Sequence, residues 1–324
     1  MTLFGINLIQ CSSYSGGSSN RLYRCSIKGV ESSHVLLRLY GSDSIPIELL
    51  LRGRTEAQLL ALVMMMSVAV NGPRLLAVFD GGRIEEYIPS RVLTRPEITY
   101  DPINKIIARK MARIHALEAP ISKTPLKISE VTSTIYKDFL EHKSILITKI
   151  PPEDIDLAKK VLDFDLGDQL NWFFSVAEKV ETKNVFTHQD LHLNNILVRL
   201  AANNNEISDD DIVIIDFDSA FYGQRCTELG PHFTYRSLDW TKRNIVRDNG
   251  SATLEEKKVF IAEYLNETKA IAVSKGQELN PIDSFDHLML ELELFEMGAY
   301  IIIAVWVLRY RDPTDVTFAL WVSN

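Results

Sequence analysis

Two short apolar runs, each adjoining side chains rich in oxygen, constrain this 324-residue chain more than any other feature. His188-Gln189-Asp190-Leu191-His192-Leu193-Asn194-Asn195 leads into Ile196-Leu197-Val198, and Ile212-Val213-Ile214-Ile215 leads into Asp216-Phe217-Asp218. Runs of branched aliphatic residues this short read as strands. Their connection, 201–211, is polar, with three Asn and three Asp, and reads as the solvated loop of a hairpin. A hairpin sets the start of one strand beside the end of the other. Asn195 and Asp216 are thereby expected together, with Asp190 five positions upstream of Asn195.

Those three residue types suit one kind of chemistry. An alcohol that attacks a phosphate must lose its proton, and a carboxylate beside it takes that proton. Asp190 is the candidate base. Asn195 offers an amide oxygen and Asp216 a charged one, both hard donors suited to Mg2+. In this order they form the layout of a phosphoryl-transfer loop and its metal-binding segment. His188 and His192 are four apart, which invites a zinc reading. That pattern needs a Glu after the first His and a helix, whereas Gln189 follows here in loop surroundings. His188 is instead expected to brace the loop through backbone hydrogen bonds.

Composition excludes several other classes. A net charge of −8 argues against a broad nucleic-acid face. The longest apolar runs, Leu59–Val70 and Tyr300–Leu308, are too short to span a bilayer. No basic residue precedes the apolar positions of Met1–Gln10, so no secretory signal is expected. Cys11, Cys25 and Cys226 show no metal or redox spacing and read as idle thiols in a reducing cytoplasm.

The chain divides by pattern near residue 88. Before it, Leu22–Ile27 and Val35–Tyr40 read as strands, Thr55–Val70 as a helix, and Leu75–Phe79 with Arg83–Ile88 as a hairpin around Asp80-Gly81-Gly82. Pro89-Ser90-Arg91 breaks the pattern. Beyond it, helices are expected over Pro102–Ala116, Val131–His142, Pro152–Phe164, Gly167–Val180, Leu254–Lys275 and Ser284–Arg309. The fold class is α+β: a small mixed N-terminal lobe, 1–88, binding the nucleotide, and a larger mainly helical lobe, 89–324, for catalysis and substrate. Ser15-Gly16-Gly17-Ser18-Ser19-Asn20 precedes the first of these strands, and its glycines let backbone approach phosphates. One strand later Arg38 is the only charge in Val35–Leu39, placed to grip α- and β-phosphates. Glu56 either pairs with Arg38 or is an ordinary first-turn helix carboxylate.

The sequence resembles the choline/ethanolamine kinase family over most of its length. The residues that carry the likeness are Ser15–Asn20, Val35–Gly41, Gly82–Arg91, His188–Asn195 and Ile215–Asp218, with Gly230-Pro231-His232-Phe233 a variant of a further segment. The resemblance implies a protein-kinase-like fold, ATP with Mg2+ as donor, and a small amino alcohol as acceptor, the first step toward phosphatidylcholine or phosphatidylethanolamine. It places Gly16, Gly17, Ser18, Ser19, Asn20, Arg38, Glu56 and His192 with the nucleotide, and the adenine at Tyr87 and Ile88. A cytoplasmic location and a homodimer follow as expectations, with no nucleic-acid partner and no transmembrane segment. Four departures fall mainly on the acceptor side. His192 stands for the usual Gln, Pro231 for Asn, Tyr235-Arg236 for a Glu followed by Trp or Phe, and Ile303 for the first of two Trp. A quaternary ammonium is held by ring faces and a nearby carboxylate. Losing an acid and a ring weakens choline binding unless others compensate, and Arg236 would repel a cation if it lined the pocket. Tyr235, Tyr300 and Trp306 are therefore the expected acceptor-side residues with Asp190, and Trp240 and Tyr310 are further candidates. Two alternatives stay open: a nucleotide-binding pseudokinase working through a protein partner, and a kinase for another small hydroxyl substrate.

Overall fold

The computed structural model describes residues 9–14, 20–30, 33–41, 55–147, 155–156, 159, 165–200, 207–239, 244–245 and 252–310. The chain forms two compact units. One comprises 1–94, 117–121 and 193–220, the other 95–116, 122–192 and 221–324.

The first unit is built on an antiparallel sheet of β1 (Ile9–Tyr14), β2 (Asn20–Ile27), β3 (Val35–Tyr40), β4 (Leu75–Phe79) and β5 (Gly82–Glu86), in the order β1-β2-β3-β5-β4. Helix α1 (Glu56–Ala69) starts at a reciprocal cap between Thr55 and Gln58. It buries Leu59, Leu62, Val63 and Met66, the i, i+3, i+4, i+7 face. The turn into β5 needs its glycines. Gly81 has φ 81°, and a Cβ on Gly82 would lie 2.6 Å from the Arg38 carbonyl oxygen. A second sheet joins β6 (Ser90–Val92), β8 (Ile196–Arg199) and β9 (Ile212–Ile214), all antiparallel. Ile196, Val198, Ile212, Val213 and Ile214 are buried, as the apolar runs require.

The second unit is mainly helical: α2 (Asp101–His115), α3 (Ile128–Ile147), α4 (Leu166–Ala177), α5 (Cys226–Arg236), α6 (Leu254–Ser274) and α7 (Phe285–Tyr310), with one strand pair, β7 (Asn184–Thr187) and β10 (Phe221–Gln224). Helix α2 buries Ile103, Ile106, Ile107, Met111 and Ile114 and lies along α6. Arg109–Glu263 at 2.5 Å and Arg113–Glu267 at 2.7 Å, each a turn apart, register the two helices. Helix α7 packs on α5 through Gly230, where a Cβ would collide with the backbone of Phe295 and Glu296.

Several expectations change. Strand β1 was not anticipated, and Cys11 faces Cys25 across the β1–β2 register. The two form a disulfide, so they are not idle thiols, and only Cys226 is free. The break expected at Pro89-Ser90-Arg91 closes the first sheet, but a short strand not anticipated there, β6, starts at Ser90 and pairs with β8, with the Pro89 carbonyl accepting from Leu200 N–H. Gly230-Pro231 sits inside helix α5, against local propensity, because α7 demands the close approach. The helix expected over Pro152–Phe164 and most of the 201–211 loop lie outside the described residues.

Candidate active site

In the first unit the two apolar runs pair as expected, with Ile196 opposite Ile214. Asn195 is buried, and its carbonyl accepts from Ile215 N–H at 3.0 Å, which fixes it beside the residue before Asp216. Asp216 has φ 67°, a left-handed conformation that costs a non-glycine residue on the order of 1–3 kcal/mol and that persists where the surroundings over-determine it. Arg38 supplies part of that restraint, with one terminal nitrogen 3.6 Å from an Asp216 oxygen.

Arg38 belongs to a buried charge cluster that sequence reading only half found. Arg38 and Arg83 are direct cross-strand partners of β3 and β5, which sets like charges side by side. Two acids make this tolerable. Asp218 accepts from Arg83 at 3.3 Å, Arg38 at 3.4 Å and Asn20 Nδ2 at 2.8 Å. Glu85 takes Arg83 Nε at 2.6 Å and lies 3.6 Å from Arg38 Nε. Burial alone would raise the Asp218 pKa, yet Arg83 and Arg38, with the Asn20 bond, hold it below the ordinary value. Burial and Arg83 work against charge on Arg38, and Glu85 and Asp218 outweigh them, so its pKa is raised. Three buried atoms here have no hydrogen-bond partner: Asn20 Oδ1, Arg38 Nε and Glu85 Oε2. An unspent donor on a paired arginine suits an anionic ligand, and the Asn195 and Asp216 oxygens suit a hard cation. Arg83 and Glu85 had a sequence signal that went unread, since two charges two apart on a strand share one face.

Glu56 is exposed in the first turn of α1, and Glu85 takes the place at Arg38 for which Glu56 was a candidate. Gly16, Gly17, Ser18 and Ser19 lie outside the described residues, while Asn20 is buried against Asp218. Arg24 stacks on the Tyr87 ring at 4.6 Å, and the carbonyl of buried Ile88 accepts from the Ser90 hydroxyl.

In the second unit the loop around Asp190 is wound back on itself. Asp190 N–H donates to His188 Nδ1 at 3.2 Å, and His192 N–H donates to the Asp190 carbonyl at 3.0 Å. His188 thus braces the loop, and it is fully buried. His192 Nε2 lies 3.4 Å from Asp190 Oδ1, and its ring meets Tyr235 edge-on at 6.0 Å. Two departures from the family pattern therefore touch each other beside Asp190. Arg236 turns inward. It is buried, stacks on Phe233 at 4.4 Å and donates to Asn104 Oδ1 at 2.8 Å and His232 Nε2 at 3.0 Å. Burial and that cation push His232 down to about 3, so it is neutral and donates from Nδ1 to the Leu191 carbonyl. Burial likewise lowers Arg236 to about 9. Tyr300 bonds Ser237 through its hydroxyl at 3.1 Å. Trp306 packs on Ile135, Leu170 and Val305. Trp240 and the Tyr310 side chain lie outside the described residues. Sequence reading also missed Glu228, whose carboxylate accepts from the His188 and Gln189 backbone.

The family model for choline/ethanolamine kinase matches residues 11–321. A choline/ethanolamine kinase of Rattus norvegicus is 28% identical over 314 residues, 94% of this chain and 75% of that one. Choline kinase alpha of Mus musculus is 27% identical over 330 residues, 94% and 70% of the respective chains. Among solved structures, the Plasmodium vivax ethanolamine kinase superposes with a TM-score of 0.68 at 19% identity, over 97% of this chain and 80% of that one. Choline kinase from Cryptosporidium parvum also gives 0.68, at 18% identity, over 99% and 90%. The fold is protein-kinase-like. The chain belongs to the choline/ethanolamine kinase family, phosphotransferases that act on an alcohol group.

Proposed function

We propose that this enzyme transfers the γ-phosphoryl group of ATP to the hydroxyl of choline or ethanolamine, the entry step to phosphatidylcholine or phosphatidylethanolamine. The observation that carries the reading is the buried cluster in which Arg38 meets both Asp216 and Asp218, with Asn20 on the same carboxylate. It joins the strand cation, the end of the glycine-rich segment and the strand-end carboxylate in one place. That is what a nucleotide phosphate site requires. Asn195 and Asp216 would hold Mg2+, which offsets phosphate charge when bound. Arg38 and Asn20 then orient the phosphates, and Asp190 accepts the proton of the attacking hydroxyl. Tyr235, Tyr300 and Trp306 are the acceptor-side candidates, with His192 beside the base. A cytoplasmic location and a homodimer belong to the same reading and rest on family resemblance alone.

The test is a coupled ADP-release assay across choline, ethanolamine and related amino alcohols. Turnover with choline or ethanolamine is expected, with a loss of about 10²–10⁴-fold in Asp190→Ala and ATP binding retained. Wild-type turnover in that variant overturns the role of Asp190. Turnover only with other alcohols overturns the acceptor.

A further inference from the structure

The residue before Asp190 is held in an unusual conformation. Gln189 has φ 68°, which a side chain of its kind leaves unless it is restrained. Its backbone N–H donates to Glu228 Oε1 at 3.0 Å, and its side-chain amide donates to the Thr187 and Thr227 hydroxyls at 2.9 Å and 2.8 Å. The neighbouring His188 N–H bridges both Glu228 oxygens, at 3.0 Å and 3.2 Å. One carboxylate therefore fixes two successive peptides of the loop that carries Asp190.

Glu228 is itself held from behind. It is 2% exposed, so an ionised carboxylate there needs every bond it can make. His115, at the last position of α2, comes within 2.7 Å of Oε2 through Nε2. The other imidazole nitrogen, Nδ1, lies 2.8 Å from the Tyr264 hydroxyl on α6. An ionised carboxylate only accepts, so His115 donates from Nε2, and the Tyr264 O–H donates to the bare Nδ1. Every polar atom in the line Tyr264, His115, Glu228 is then satisfied. Burial favours a neutral carboxyl here, but the His115 hydrogen bond, with the His188 contacts, leaves the Glu228 pKa lowered.

We propose that His115 and Tyr264 are positioning residues for phosphoryl transfer. They act through Glu228 on the Gln189 peptide, and so on the aim of Asp190. This rests on the reading of Asp190 as the base. Removing His115 leaves Oε2 with only the longer His188 contact. The carboxylate then gains a proton or turns toward another donor, and Gln189 N–H loses its acceptor. The left-handed peptide relaxes and Asp190 shifts. A displacement of about 1 Å costs on the order of 100-fold in rate. Arg38, Asn20 and Asp216 have no part in this line, so nucleotide binding is spared.

The experiment compares His115→Ala, His115→Gln, Tyr264→Phe and Asp190→Ala with the wild-type enzyme, by steady-state kinetics and by amide hydrogen exchange of His188 and Gln189. His115→Ala is expected to lower kcat about 10- to 100-fold, with KM for ATP within about twofold, and to speed exchange at both amides. His115→Gln, whose amide also donates, recovers most of the kcat. Tyr264→Phe gives a loss of a few fold in the same direction. Unchanged kcat in His115→Ala overturns the proposal, as does a loss carried by the KM for ATP, or a folded His115→Gln no better than Ala. If His115→Ala does not fold, Tyr264→Phe decides, and wild-type exchange rates at both amides in that variant refute the line. Wild-type kcat in Asp190→Ala sinks the base assignment instead, while exchange still reports whether His115 holds the loop.

Discussion

Asp218 shows why a residue can matter more than its motif suggests. Its carboxylate is the shared partner of Arg83, Arg38 and Asn20, in a site with two cations on adjacent strands. Asp218→Asn leaves those guanidiniums with Glu85 and Asp216 alone. Breaking a buried pair by removing one partner costs about 3–5 kcal/mol. Arg38 then moves toward Asp216, so KM for ATP is expected to rise as well. The sign with pH follows from the lowered pKa of Asp218. The stabilisation is present above the unfolded value, about pH 4, and is lost as pH falls through the folded value. Urea midpoints of wild type and Asp218→Asn should therefore differ at neutral pH and converge in strong acid. A gap that persists unchanged in acid would mean the carboxylate charge is not what stabilises the cluster. At this scale the sequence was legible where two strand patterns meet, as in the bond from Ile215 N–H that sets Asn195 beside the residue before Asp216. It was silent at Glu228 and His115, whose roles exist only because α2 and α5 meet. It misdirected at Arg236, where a charged residue was weighed as a pocket lining. In the fold, α5 turns it onto Phe233 and Asn104.

Elements that carry their own pattern were readable, and those that depend on a partner were not. Strand β3 and the β4–β5 hairpin announce themselves through apolar runs and a glycine turn. Strand β1 is polar and its described side chains are exposed, so nothing but β2 makes it a strand. The same pairing creates the Cys11–Cys25 disulfide, which no spacing in sequence implies. Closing a loop of this size removes conformational freedom from the unfolded chain, worth about 3 kcal/mol in the loop-entropy account. Cys25→Ser is expected to lower stability by roughly that amount at most. Thiol titration gives the direct test. Native protein should expose no reactive thiol, because Cys226 is buried and its pKa is raised by that burial. Denatured protein without reductant should show one thiol, and three after reduction. Three thiols before reduction would remove the disulfide and restore the reading of all three cysteines as free.

At the scale of the whole molecule, the candidate residues are shared between two compact units. Asp190 belongs to one, and Asn195, Asp216, Arg38 and Asn20 to the other, with the chain passing between them at Leu193. The division of labour suggested by the residues is chemical. One unit holds the proposed metal oxygens and Arg38, the other the proposed base and its bracing. Ligand-linked stability separates these roles. A ligand that binds only folded protein stabilises it by RT ln(1 + [L]/Kd), about 2.7 kcal/mol at a hundredfold excess over Kd. With ATP and Mg2+ the wild-type melting temperature should rise, and EDTA should cancel much of the rise. In Asp216→Asn the ATP-linked rise should be smaller and insensitive to EDTA, since one of two proposed metal oxygens has lost its charge. Asp190→Ala should keep the full Mg2+-dependent rise although its turnover is greatly lowered. An Asp216→Asn protein with the wild-type response to EDTA would place the metal elsewhere. An Asp190→Ala protein that loses the response would make Asp190 part of the nucleotide site rather than the base.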